Sequence, residues 1–181
     1  MIRYQITDGT GNIEAISAEA DLVQIREPQL SIRELAGFVR AAANRARRIL
    51  VNDRLDVALA CGAAGAHLKG GSVPPRLCRQ ITPPGFLITV ACHTADEVRS
   101  AEGADYVLVS PVFRPISKAD ARSVLGVAGL ERIARETGIP VLALGGITGE
   151  NAGACVRAGA AGVAGISLFL RGAHDAPAEC P

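Results

Sequence analysis

A chain of 181 residues with a formal net charge of +1 has no electrostatic basis for binding nucleic acid, and 3% aromatic content leaves little to stack on bases. The 49% hydrophobic share suits one compact domain with a sizeable core, yet no apolar run approaches the roughly 20 residues needed to span a membrane. Five cysteines without a Cys-x-x-Cys pair, behind a polar N-terminal stretch, read as free thiols of a cytoplasmic protein.

Strand and helix patterns alternate along the chain. A strand is predicted over residues 3–7, and only residues 9–21 separate it from the next, so the first helix must be very short or irregular. Strand 22–26 is followed by a helix over 31–47, opened by Ser31 and Glu34 at capping-box spacing. Strand 49–52, helix 53–61 and strand 65–68 come next, then strand 87–91 and a helix over 94–101 with Thr94 and Glu97 spaced likewise. Strand 106–110, helix 126–137, strand 141–144, helix 151–158 and strand 162–166 complete the series. A phrase recurs where helices turn into strands: Cys61-Gly-Ala-Ala-Gly-Ala66, Glu102-Gly-Ala-Asp-Tyr106 and Ala158-Gly-Ala-Ala-Gly-Val163. Glycine just past a helix end accounts for it.

Eight strands alternating with helices predict a single α/β domain, a (β/α)8 TIM barrel with a shortened first helix and a reduced final one. The barrel is expected to occupy residues 1–171, with a flexible tail over 172–181. In such a barrel the chemistry collects at the C-terminal ends of the strands. Polar and cationic groups recur there, as expected around an anionic small molecule: Thr7-Asp8, Gln24-Ile-Arg-Glu27, Asn52-Asp53-Arg54, His67-Leu-Lys-Gly-Gly-Ser72, Cys92-His93 and Ser110-Pro-Val-Phe113. The ends of the last two strands, Gly145-Gly146 and Ile166-Ser167, lie one helix apart, and amides there form a natural phosphate cradle.

Each of these residues also has a plainer reading. Asn52 and Asp53 could cap the following helix, and that role and ligand binding weigh equally. His67 and His93 read more readily as packed or hydrogen-bonded groups than as bases. Cys92 and His93 are adjacent on a strand and point to opposite faces, which argues against a nucleophile pair. An arginine in the barrel mouth needs an anion or a carboxylate, so Arg26 reads as a ligand contact, with Glu27 able to reach it only from the opposite face. Lys118 is a solvated loop lysine unless its loop closes over a substrate.

Ile6-Thr-Asp8, Val23-Gln-Ile-Arg-Glu27, Val51-Asn-Asp-Arg-Leu-Asp-Val-Ala58, Gly65-Ala-His-Leu68, Ala104-Asp-Tyr-Val107, Ser110-Pro-Val-Phe113, Lys118 and Leu144-Gly-Gly-Ile147 together resemble the thiamine phosphate synthases and their sister group, the TenI-like thiazole tautomerases. The resemblance covers residues 3–170. It implies a transferase of thiamin biosynthesis that joins hydroxymethylpyrimidine diphosphate to hydroxyethylthiazole phosphate and releases pyrophosphate with magnesium. It assigns Gln24, Arg26 and Asn52 to the pyrimidine and its diphosphate, Asp53 to magnesium, and Lys118 to the pyrophosphate. Gly146, Ile166 and Ser167 match the cradle for the thiazole phosphate. Arg26, Asn52 and Lys118 are thereby the expected catalytic residues, and small-molecule phosphates the expected partners.

Departures from the family pattern accompany the matches. Pro28 takes the place of the motif lysine, Ser72 that of the second magnesium aspartate and Ala91 that of a serine. Pro115 and Ser117 take the place of two threonines. The tautomerase histidine falls on Pro111. A tautomerase, or a regulator that binds thiazole or thiamin phosphate without turnover, therefore stays open as an alternative, as does a homo-oligomer.

Overall fold

The computed structural model describes residues 1–114 and 124–169. Eight parallel strands, β1 (Ile2–Ile6), β2 (Leu22–Ile25), β3 (Ile49–Asn52), β4 (Gly65–Leu68), β5 (Leu87–Cys92), β6 (Tyr106–Val109), β7 (Val141–Leu144) and β8 (Gly162–Gly165), pair in chain order. β8 returns to β1 through Ile2↔Gly162 and Tyr4↔Ala164, which closes the barrel. Their near-continuous apolar runs follow from burial on both faces. Tyr4, Ile6, Leu22, Leu50, Leu108, Leu142 and Ala164 fill the interior, while the outward residues pack beneath the helices as two clusters.

The helices are α1 (Ile32–Ala42), α2 (Leu55–Ala60), α3 (Pro75–Cys78), α4 (Ala95–Arg99), α5 (Gly126–Glu136) and α6 (Gly149–Arg157). The first connection is reduced to a 3₁₀ turn at Ile13–Ala15, as its length requires. The Ser31–Glu34 capping box is present in full. Thr94 accepts from the Glu97 amide, but the Glu97 carboxylate takes the amide of His93, one residue before the cap.

Among the differences from the sequence reading, two are helix boundaries with a physical cause and one is a helix that it missed. α1 stops at Ala42 rather than residue 47, because the amides of Asn44 and Arg45 turn back onto the carbonyls three residues before them. α2 starts at Leu55, since Asp53 adopts a left-handed φ of 54° that no helix accommodates. α3 had no apolar period long enough to reveal it, and Pro75 sets its first turn. After β8 the described chain makes one 3₁₀ turn, Ser167–Phe169. Lys118 and the expected tail lie outside the described residues.

Candidate active site

Alternation along the strands turns Tyr4 into the barrel, where a phenol must find polar partners. It finds two, Gln24 on the adjacent β2 and Thr89 on β5 across the barrel. The Tyr4 hydroxyl donates to Gln24 Oε1 at 3.2 Å, and Gln24 Nε2 donates to Asn52 Oδ1 at 2.9 Å. With the tyrosine's one proton committed, the Thr89 hydroxyl, 3.2 Å away, must be the donor to Tyr4. The Thr89 oxygen then accepts from His67 Nδ1 at 2.8 Å. One direction of donation thus runs from His67 to Asn52 and fixes His67 as the Nδ1–H tautomer. Asn52 Nδ2 is left unspent by this chain of bonds. Burial pushes His67 down to about 4, with the Arg26 charge helping and Asp53 opposing, so the ring is neutral. Burial also pushes the Tyr4 hydroxyl up, so it stays a donor.

Above this network lies the rim formed by β2, β3 and β4. The Arg26 side chain is exposed, and its amide is anchored on Thr7 Oγ1 at 2.9 Å. Glu27 is the buried member of the pair: its Oε2 takes the Gly11 amide at 2.8 Å and Gln29 Nε2 at 2.9 Å, pinning the first loop. It therefore does not serve as the partner of Arg26.

Asp53 is held by its amide, which donates to the His67 carbonyl at 2.7 Å. Its carboxylate meets Lys69 Nζ at 2.7 Å and accepts from the Ser72 hydroxyl. Burial pushes this carboxyl up, but the Lys69 and Ser72 bonds together with the Lys69 charge hold it below its ordinary value. The capping reading fails here: Arg54 occupies the cap position of α2, and no side chain caps it. A cleft of about 350 Å³, lined by Asp53, Lys69, Gly70, Gly71, Ser72 and Val73 among others, opens beside the pair.

The opposite rim belongs to β7 and β8. Gly145 and Gly146 have φ of 97° and 63°, which glycine adopts without strain. A Cβ on Gly145 would lie 2.8 Å from Pro111 Cα, and one on Gly146 would lie 2.6 Å from the Arg114 carbonyl. The sequence reading takes these glycines as letting their amides approach a phosphate with no side chain in the way. In the structure the segment after β6 fills the space a side chain would take, strapped on by Val112 N to Leu144 O and Phe113 N to Gly145 O. Asn151 Nδ2 holds the Gly146 carbonyl at 2.9 Å. The amides of Gly146, Ile166 and Ser167 donate to no described residue, so three donors stand at two adjacent strand ends.

His93 and Cys92 sit on the side of β5 and β6. His93 Nδ1 donates to the Ser110 carbonyl at 2.7 Å. Burial pushes the Cys92 thiol up to about 12, which removes it as a nucleophile. Four cysteines are free among the described residues. Sequence reasoning singled out neither Lys69 nor the Tyr4–Thr89 link. The signal for the link was a polar residue at an inward position of an otherwise apolar strand.

A family model described as thiamine monophosphate synthase matches residues 11–169. This chain belongs to the thiamine monophosphate synthase family. The thiamine-phosphate synthase of Methanoculleus marisnigri is 43% identical over 162 residues, spanning 86% of this chain and 77% of that protein. A putative thiamine-phosphate synthase 2 of Aquifex aeolicus is 39% identical, with 82% of each chain covered. Among solved structures, the thiamine phosphate pyrophosphorylase of Pyrococcus furiosus superposes with a TM-score of 0.74 at 30% identity, covering 92% of this chain and 85% of that one.

The family pattern implies magnesium at Asp53, and the donor set can be tested for it. Magnesium takes hard oxygen ligands in octahedral geometry, commonly one or two carboxylates with phosphate oxygens and water. Here one carboxylate is present, both its oxygens are engaged, and an ammonium neutralises it. Among the described residues no three His, Cys, Asp or Glu side chains converge as a metal site. These residues do not fit a protein-held magnesium ion. Nor is any helix of the described chain long and apolar enough to cross a membrane.

Proposed function

We propose that this chain is a thiamine-phosphate synthase acting in the cytoplasm. It joins hydroxymethylpyrimidine diphosphate to hydroxyethylthiazole phosphate and releases pyrophosphate. The observation that carries the reading is the division of one barrel mouth between two anion-ready rims. Three backbone amides that donate to no described residue stand at the β7 and β8 ends, where a phosphate could accept from them, while Arg26, Gln24 and Asn52 stand at the β2 and β3 ends. A reaction joining two phosphorylated fragments needs two such places on one mouth.

The chemistry breaks the bond between the pyrimidine methylene carbon and the diphosphate oxygen, and forms a bond from that carbon to the thiazole nitrogen. Charge accumulates on the departing pyrophosphate, so fixed cations and donors there lower the barrier most. Arg26 offers a rigid fork for phosphate oxygens, and the family resemblance assigns the pyrophosphate to Lys118 as well. Gln24 is held by Tyr4 and in turn holds Asn52, which keeps both amides oriented for the pyrimidine and its diphosphate.

Incubation with both substrates tests the reading directly, with thiamin phosphate as the readout. Formation of thiamin phosphate supports it. If none forms while hydroxyethylthiazole phosphate still raises the melting temperature, the synthase reading falls and a tautomerase or a non-catalytic binder takes its place.

A further inference from the structure

We propose that Lys69 is a diphosphate-binding residue that takes, at Asp53, the place a divalent cation would otherwise fill. It rests on the synthase reading only for the identity of the ligand as a diphosphate.

The arrangement is built from both sides. Asp53 is fixed in a left-handed backbone conformation by its bond to the His67 carbonyl. The turn after β4 is closed by two reciprocal bonds, Lys69 N to Ser72 Oγ at 3.2 Å and Ser72 N to Lys69 O at 3.1 Å. Gly71, at φ 82°, makes that turn sterically available. Its two ends therefore arrive together at one carboxylate, Lys69 on Oδ2 and Ser72 on Oδ1. A carboxylate at position 72 would have added a second negative charge and called for a metal. The serine hydroxyl instead donates, and the ammonium supplies the positive charge.

The pair is not a closed structural bridge. An ammonium has three N–H donors, and its contact with Asp53 Oδ2 uses one. The Lys69 side chain is 64% exposed and lines the cleft, so it can bond an incoming oxygen while Asp53 keeps it in place. Arg26 follows β2 and Asp53 follows β3, adjacent strands in the register Ile25↔Val51, so both belong to one rim. Pro28 supplies no cation on this side, and Lys69 with Arg26 restores a pair of them. A diphosphate has oxygens enough to meet a guanidinium fork and an ammonium at once.

Calorimetric titration with inorganic pyrophosphate, once in EDTA and once in excess magnesium, tests this without turnover. The intact chain should bind pyrophosphate in EDTA, and Lys69→Gln should weaken that binding by about tenfold or more. Lys69→Arg, which keeps the charge, should retain most of it. Asp53→Asn separates the two readings by sign. It preserves the left-handed backbone, leaves an amide oxygen to accept from Lys69 and removes a negative charge, so binding should be no weaker. A metal site would lose its ligand and with it the magnesium-supported affinity. Pyrophosphate binding that requires magnesium, or that ignores Lys69→Gln, overturns the proposal. Lys69-dependent binding without thiamin phosphate formation would instead leave the inference standing and remove the synthase reading.

Discussion

At the scale of single residues, the buried hydrogen-bond chain makes the sharpest statement about His67. Its ordinary value is near 6.5 and burial pushes it down to about 4. Because the folded value is depressed, the unfolded chain takes up the proton first as pH falls. The His67 contribution is unchanged above about pH 6.5 and falls between that value and about 4, by about 3 kcal/mol in total. Denaturant unfolding of the native chain and of His67→Gln at pH 7 and pH 4.5 checks this. The variant should start less stable, for loss of the Thr89 bond, but should fall less steeply across the interval. Equal slopes would mean that His67 does not titrate there. The sequence marked His67 correctly as a hydrogen-bonded group, because a lone histidine inside a strand of apolar neighbours needs a partner. It could not name Thr89 or Tyr4, whose inward faces meet it only through the registers His67↔Thr89 and Tyr4↔Leu22. The same limit applies at Asp53. The sequence places it beside Asn52, but only the turn at 69–72 decides that its carboxylate faces Lys69 and Ser72 instead of the α2 amides.

At the scale of elements, the strands were legible and the short helices were not. Apolar runs bounded by glycine mark a doubly buried strand whatever its neighbours, whereas four residues at Pro75–Cys78 carry no period to detect. The repeated Gly-Ala-Ala-Gly phrase was half read. Its first glycines, Gly62 and Gly159, do take positive φ at helix ends, at 65° and 93°. The second glycines, Gly65 and Gly162, answer to something else. Each begins a strand, and a Cβ there would fall on the carbonyl of the adjacent strand, Leu87 for Gly65 and Ile2 for Gly162. Only the barrel's own pairing reveals that approach. Gly162 lies on the β8–β1 seam, where the Ile2 amide also bonds the Ala161 carbonyl at 3.0 Å. Gly162→Ala should therefore destabilise the fold by about 3 kcal/mol. Gly37→Ala, with nothing within 4 Å of its Cβ and a helical backbone, should be neutral or mildly stabilising. Chemical denaturation of the two variants side by side measures the difference. Equal stabilities would show that the seam can shift to admit a methyl group.

Across the whole molecule, the outer core divides into two clusters, and the two rims divide the same way. One cluster packs residues of β2, β3 and β4 under α1, α2 and α3, beneath the rim carrying Arg26, Asn52 and Asp53. The other packs residues of β6, β7 and β8 under α5 and α6, beneath the rim carrying Gly146, Ile166 and Ser167. Each rim is thus set by its own half of the barrel, and the halves share the interior stack. Binding defects on one rim should then leave the other untouched, while defects on either side abolish the joint reaction. Ser167→Asp, at an exposed position, places a carboxylate beside the three amides that donate to no described residue. It should cut hydroxyethylthiazole phosphate affinity by at least tenfold and change stability by no more than about 0.5 kcal/mol. Arg26→Ala, likewise exposed, should leave that affinity within about twofold and lower kcat by about 10² or more, since its charge is used against a developing anion. The crossed comparison is the decisive part. If Arg26→Ala weakened thiazole phosphate binding as much as Ser167→Asp does, the two rims would be one site, and the division of labour between the halves would be wrong. If Ser167→Asp left that binding intact, these amides would serve some purpose other than holding a phosphate.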